Sequence, residues 1–517
     1  MKKIKLFWKI IFATYILLVQ NIFSANYYIA NSGADANDGS KEFPWKTLMH
    51  ALKNSNPGDT LQLFPGMFIE KEIWIRGIKG MGGKEGKIKT IMNYQNKEVT
   101  LNSERGIIVD ASYIRIRGIR FVGAGIKVVN WGGMVTNVEL LDNYFIGDFT
   151  YGAISFEGNN GLIEGNRIEI IDQRNTRDHG IYLLSGANNI IRGNFISGPV
   201  GYGIHIFDEK KTSDPPGYIP SHKNIIIEKN FITASRERSG IILSTGGIID
   251  GVIIRKNVIC KNNFDGIKIK ANKAEIIKNI QIYNNTIFGN RQGIRISGCS
   301  NVIIKNNIID CSEDYCRVNC HWEDPCLVFV GENVNNLSIE RNLYYPKSVG
   351  FKGINVLNPF FANPLFKDTA KNDFHLTAES PAIDAGVDMG IPYIGSAPDL
   401  GAFEFNSDES NIGESPTKEK NFQLLQNYPN PFNSKTYIIY KISKRSFVNI
   451  KIIDITGREV NTLLSREMGQ GFHSLTWDGT GYIGTFVPSG IYLCQFEIKN
   501  EKSITTFHDT KKMIFLR

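Results

Sequence analysis

"DHGIYLLSGANNIIRGN", residues 178–194, is a phrase the chain keeps rewriting. "YGIHIF" follows at 202–207, "SGIILS" at 239–244, "DGIKIK" at 265–270 and "QGIRIS" at 292–297. Each is followed by a second run such as "IIIEKN" (225–230) or "VIIRKN" (252–257). The glycines that open the phrases are Gly152, Gly180, Gly203, Gly240, Gly266 and Gly293, at steps of 28, 23, 37, 26 and 27. The asparagines that close the second runs are Asn143, Asn166, Asn194, Asn230, Asn257, Asn285, Asn307 and Asn342. A period in the twenties means a solenoid. Its one long step coincides with the inserted stretch "EKKTSDPPGYIPSH" at 209–222.

The runs are rich in Ile and Val and carry no helical spacing, so they are predicted strands. One repeat cannot bury its own apolar face, whereas stacked repeats can. Strands of successive coils should pair in parallel, about 4.8 Å apart. The recurring asparagine suits a tight bend in two ways. It tolerates left-handed backbone angles, and its amide can bond to the asparagine of the next coil.

This pattern resembles the right-handed parallel β-helix of the pectate-lyase-like superfamily, over roughly residues 60–345. The resemblance implies an all-β fold and leaves the activity open. The stretch 27–68, with "WKTLMHALKN" at 45–54 as a short capping helix, is similar to the module that opens bacterial β-helix proteins. "NPLFKDTAKNDFHLTAESPAIDAG" at 363–386, with "DLGAFEF" at 399–405, is similar to the module that closes them.

The 517 residues exceed one ordinary core, so several domains or one long array are expected. "MKKIKLFWK" is basic and "IIFATYILLVQNIF" is apolar, after which polar sequence begins. That is the pattern of a signal peptide over 1–25, too short in its apolar run to span a bilayer. The β-helix with its caps occupies 26–405 and a polar linker 406–420. Beyond it, "YIIYKI", "VNIKIID" and "YLCQFEIK" alternate like strands of a small Ig-like sandwich over 421–517. "LLQNYPNPFN", "DITGREV", "SGIYLCQFEI" and the closing "KKMIFLR" resemble a type IX secretion sorting domain. That resemblance implies type IX secretion machinery as a partner and a secreted or surface-held protein.

In the motif Gly-Ile-x-Ile both isoleucines face the core and x faces solvent. The outward column is then Ser155, Tyr182, His205, Ile242, Lys268 and Arg295. The next is Glu157, Leu184, Phe207, Ser244, Lys270 and Ser297. The turns add Arg174, Arg177, Arg236, Arg238 and Arg291. The net charge of +8 is mild, and no zinc-finger or basic-helix pattern calls for nucleic acid. A basic strip carrying aromatic side chains suits an acidic polysaccharide.

β-Elimination beside a uronate carboxylate needs a base, positive charge for the developing enolate, and an acid for the leaving oxygen. The column offers Lys268 as base, Arg295 as carboxylate binder, and His205 with Tyr182 as a second acid/base pair. Arg177, Arg238, Lys270 and Trp322 are candidate substrate-binding residues. No cofactor is called for except calcium, whose donors would be Asp178, Asp208, Asp265 or Glu157, on different coils and in no compact set. Other readings are a non-catalytic glycan binder or adhesin, and a glycoside hydrolase. A hydrolase needs two carboxyls within about 10 Å of one bond, and Asp208 and Asp265 fall at opposite edges of the face. The chain is expected to be a monomer. In an exported protein, "CSEDYCRVNCHWEDPC" (311–326) predicts at least one disulfide among Cys311, Cys316, Cys320 and Cys326, with Tyr315 and Trp322 near the groove. Zinc is the competing reading, through His321.

Overall fold

The computed structural model describes residues 24–406, apart from 104, 150–151, 172–177, 208–220, 245–246, 272–275 and 313–325, and residues 422–516, apart from 425–426, 428–429, 431, 434–435, 443–445, 469–470, 483 and 500–504. The chain divides into two compact units, Met1–Ser407 and Asp408–Arg517.

The first unit is a parallel β-helix. Its coils lay strands into a first sheet, a second sheet and a third sheet, each strand pairing in parallel with its counterpart one coil on. The strand Val252–Arg255 of the first sheet, for example, pairs with Ile280–Tyr283. In the second sheet Val258–Cys260 pairs with Thr286–Phe288. In the third, Ile267–Lys270 pairs with Ile294–Ser297. Ile181, Ile204, Ile241, Ile267 and Ile294 are stacked inside at 0% exposure, as the repeat predicts. From Gly180 to Gly293 the repeated glycine has a packing reason rather than a conformational one, whereas Gly152 carries a φ of 150°. A Cβ on Gly240 would lie 2.4 Å from Cγ2 of Ile259, and one on Gly266 2.5 Å from Cγ2 of Ile287. The isoleucine of each second-sheet strand fills the space that a side chain there would need.

The closing asparagines form one buried ladder from Asn143 to Asn342. The Asn194 backbone N–H and Nδ2 both donate to Oδ1 of Asn230, at 3.0 and 2.9 Å. The Asn230 groups repeat this toward Asn257 at 3.0 and 2.9 Å. The predicted left-handed backbone, however, belongs to the preceding residue. Lys229, Lys256, Asn284 and Asn306 carry φ of 56°, 53°, 50° and 56°. The left-handed residue makes the bend, so the asparagine after it keeps ordinary angles while its backbone N–H and its side-chain amide both reach the next coil.

The helix Leu48–Asn54 sits at the N-terminal end and buries Leu48, Ala51 and Leu52 in the solenoid core. Its last turn is held by Lys89, fully buried, which donates to the Ser55 carbonyl at 2.8 Å. The segment expected to close the other end does something different: it lies along the outside of the second sheet. Phe374 and Ala402 pack on Val258, Cys260 and Phe288, while Leu376, Ala382 and Leu400 pack on Ile308 and Leu343. The outward side of those strands is apolar and demands a cover.

The second unit has two antiparallel sheets. One joins Phe422–Leu424, Thr436–Ile442 and Gly471–Trp477; the other joins Glu459–Met468, Ser446–Asp454, Gly490–Lys499 and Thr505–Phe515. Tyr440, Trp477, Phe496 and Phe515 fill the core between them.

Candidate functional site

The outward column of the third sheet stands in the predicted register but is not all open to solvent: Ser155, His205 and Ile242 are buried. Ser155 pairs with Tyr182, Tyr182 with His205, His205 with Ile242, Ile242 with Lys268, and Lys268 with Arg295. The second column slips once. A bulge after Phe156 sets Glu157 opposite Ser185, so Leu184 leaves the row.

His205 is the centre of an aromatic cluster. The Tyr182 ring lies on it nearly parallel, with centroids 4.9 Å apart. Tyr202 stands 4.7 Å and Phe207 5.3 Å away by the same measure. His179 approaches edge-on, its Nε2 3.2 Å from Nδ1 of His205. The other ring nitrogen of His205 lies 3.3 Å from Oγ of Ser244. Both imidazoles are buried, which strongly favours their neutral forms. Burial, with Arg238 nearby, takes His179 down to about 4. Burial, with His179, His222 and Arg238 around it, holds His205 well below the usual histidine range. His222 lies deeper, with neither ring nitrogen hydrogen-bonded, and burial takes it to about 3.

Lys268 has a counter-ion. Its Nζ lies 3.4 Å from Oδ2 of Asp265, which is 2% exposed and also accepts from Ser239 Oγ at 2.9 Å. Arg295 spreads over the ring of Phe329, 4.6 Å from its centroid. Lys270 is exposed beside Ser244 and Ser297. Of the turn arginines, Arg238 is exposed. Arg291 is buried at 5% exposure, and Arg236 reaches back to the Ile170 carbonyl at 3.5 Å, so neither offers a free cation as expected. Arg174, Arg177 and Asp208 lie outside the described residues, as do Trp322, Tyr315 and His321.

Of the proposed calcium donors, Asp178 and Asp265 are already engaged. Asp178 is fully buried and accepts from the Phe149 N–H at 3.1 Å. Asp265 is taken by Lys268 and Ser239. Among the described residues no group of three or more His, Cys, Asp or Glu side chains could hold a metal ion. The disulfide expectation needs correction at one partner. Cys311 is a free, buried thiol whose Sγ lies 3.9 Å from the Cys326 carbonyl oxygen. Its side chain belongs to the solenoid core, which turns it from the loop and pushes the thiol up. Cys316 and Cys320 lie outside the described residues.

The sequence reading passed over His179 and Tyr202. Both stand immediately before the glycine of their phrase, as do Ser239, Asp265 and Gln292. Counting from glycine onward leaves out this further row, although "DHG" and "GYG" display it.

A protein-family model, the FlgD Ig-like domain, matches residues 439–502. The uncharacterized protein YwoF of Bacillus subtilis (strain 168) is 26% identical over 441 residues, covering 69% of this chain and 91% of that protein. Among solved structures, the pectate lyase Pel9A has a TM-score of 0.46 at 16% identity, covering 74% of this chain and 97% of that one. A rhamnogalacturonan lyase has 0.42 at 12%, covering 67% and 92%. A glycoside hydrolase has 0.45 at 11%, covering 69% and 99%.

Proposed function

We propose that this chain acts on an acidic polysaccharide as a lyase. The observation that supports it is the single outward column in which His205, Lys268 and Arg295 stand on one face, with Arg238 and Lys270 beside them. A uronate laid along the column meets positive charge for its carboxylate at Arg295. The proton beside that carboxylate falls to Lys268, and His205 and Tyr182 flank the bond that breaks. To act as base Lys268 must first give up its own proton, and with it the ion pair to Asp265, so that its free amine can accept the substrate's proton; Ser239 keeps the Asp265 carboxylate in place meanwhile. The neighbours named lyase and those named hydrolase share the solenoid at low identity, so the chemistry rests on the column.

The second reading is a glycan binder without catalysis, and the Lys268–Asp265 ion pair favours it. Incubation with pectate, alginate, chondroitin and related uronates separates the two, with the ultraviolet absorbance of an unsaturated uronate as the signal. Absorbance that rises with the intact protein and is lost in Lys268→Ala supports the lyase. Binding without absorbance supports the second reading. Export by the signal-peptide-like start and the C-terminal domain belongs to the same proposal. A chain cut at residue 420 is expected to keep its β-helix and to stay in the periplasm; normal release of that chain removes the sorting role.

A further inference from the structure

The hydrogen bonds around His205 have a direction. The Tyr202 backbone N–H, which can only donate, points at Nδ1 of His179 from 3.0 Å. Nδ1 of His179 is therefore the acceptor, and its neutral ring carries the proton on Nε2. That proton lies between His179 Nε2 and His205 Nδ1, 3.2 Å apart, so Nδ1 of His205 accepts. The proton of His205 is thereby placed on Nε2, facing Ser244 Oγ at 3.3 Å. A hydroxyl that accepts there keeps its own hydrogen to donate outward.

The scaffold fixes the first link. A Cβ on Gly201 would lie 2.3 Å from Nδ1 of His179, so the bare backbone of Gly201 walls that ring. The Gly201 N–H is itself tied to the Asp178 carbonyl at 2.9 Å. The groups facing the pair are Arg238 and His222, which both oppose a charge on His205, together with the Tyr182 and Tyr202 rings.

We propose that His179 is a positioning residue that fixes His205 as a neutral hydrogen-bond donor, and that His205 and Ser244 together donate to the leaving glycosidic oxygen, on which negative charge develops as the bond breaks. His205 in this form has no free lone pair, so it is not the base. A neutral imidazole held as a donor stabilises charge without giving up its proton. The identity of the acceptor rests on the lyase reading; the tautomer does not.

The test uses the full chain labelled with 15N-histidine at pH 7, with His205 assigned through His205→Gln. Long-range proton–nitrogen spectra are expected to show His179 and His205 neutral, each protonated on Nε2. His179→Leu should release the Nδ1 of His205, giving mixed tautomers or a charged ring, and His179→Gln, whose amide can donate, should restore the Nε2 form. On a cleaved uronate, His179→Leu should lower kcat about 10- to 100-fold with little change in KM, and its pH profile should gain a histidine titration absent from the parent. A parent His205 that is charged or protonated on Nδ1 overturns the proposal, as does a His179→Leu protein with His205 unchanged. Should that variant not fold, the parent spectrum alone decides. If no uronate is cleaved, the lyase reading falls while the spectra still judge the role of His179.

Discussion

The asparagine turn and the outward face of the third sheet are cut from the same repeat, yet they follow opposite rules. At the turn, each coil offers the same side chain, so every asparagine is donor to one neighbour and acceptor for the other. Identity from coil to coil is what closes the ladder. On the outward face, adjacent rungs are Tyr182, His205, Ile242, Lys268 and Arg295, and no two are alike. Their interactions are specific pairs: ring on ring, imidazole to imidazole, ammonium to carboxylate. A solenoid therefore separates stability from chemistry by position. Repetition marks the first and its interruption marks the second.

The sharpest break of this comparison is at the turn. Asn230→Ala strands the Asn194 N–H and the Ile191 carbonyl, both buried partners of the lost amide. Each unsatisfied buried group costs about 1–3 kcal/mol, so a loss on the order of 4 kcal/mol is expected in denaturant unfolding of the β-helix. The folded site on the third sheet should not change, and any uronate bound should bind as before.

Acid should find the face rather than the ladder, since asparagine does not titrate. His179 holds its neutral form down to about 4 in the folded chain, whereas an unfolded histidine protonates near 6.5. Between those values the unfolded chain binds more protons, so stability rises with pH. The contribution is whole above about pH 6.5 and is lost as pH falls toward 4, on the order of 3 kcal/mol. Thermal melts across that window should show the slope; His205 and His222, also held neutral by burial, add to it, so His179→Leu should reduce it by its own share. A melting temperature indifferent to pH from 7 to 4 would remove the buried neutral pair.

Lys268→Ala tests the face by function. A general base is worth roughly a hundredfold or more in turnover, while stability falls by what it costs to leave the buried Asp265 carboxylate with Ser239 alone, on the order of 3 kcal/mol. Turnover must therefore be measured on the folded fraction, with the unfolding midpoint taken on the same preparation. A destabilised variant whose folded fraction keeps full turnover would make Lys268 a structural residue.

The same contrast explains what the sequence displayed. The core isoleucines and the ladder asparagines are legible because stacking forces like onto like, and a period read from one coil holds for the next. His179 and Tyr202 were missed because their row changes at every coil, through Ser239, Asp265 and Gln292. Cys311 was assigned to the loop by its cysteine neighbours, yet it packs in the core. Spacing does not report which way a side chain turns at a strand end. The course of residues 374–402 along the second sheet was hidden for another reason. Its partners Cys260, Phe288 and Ile308 read simply as strand residues, and nothing local reveals that their outer side is apolar and covered.

The smallest expected effect tells whether the ladder rule is about asparagine or about burial. A second row, Asn160, Asn188 and Asn224, runs along the turn into the first sheet, each amide donating to the previous one at 3.1 Å. These side chains are exposed, and here the asparagines themselves take the left-handed angles, with φ of 52°, 58° and 53°. Water can satisfy whatever a substitution frees, so the bond itself should count for little. The backbone conformation should count for more: a left-handed residue with a Cβ costs about 1 kcal/mol unless it is Asn or Asp. Asn188→Ala is therefore expected to lose about 1 kcal/mol in denaturant unfolding, and Asn188→Gly close to nothing. If the glycine variant falls as far as Asn230→Ala, hydrogen bonding holds the exposed row as it holds the buried one. In that case burial is not what distinguishes the two ladders.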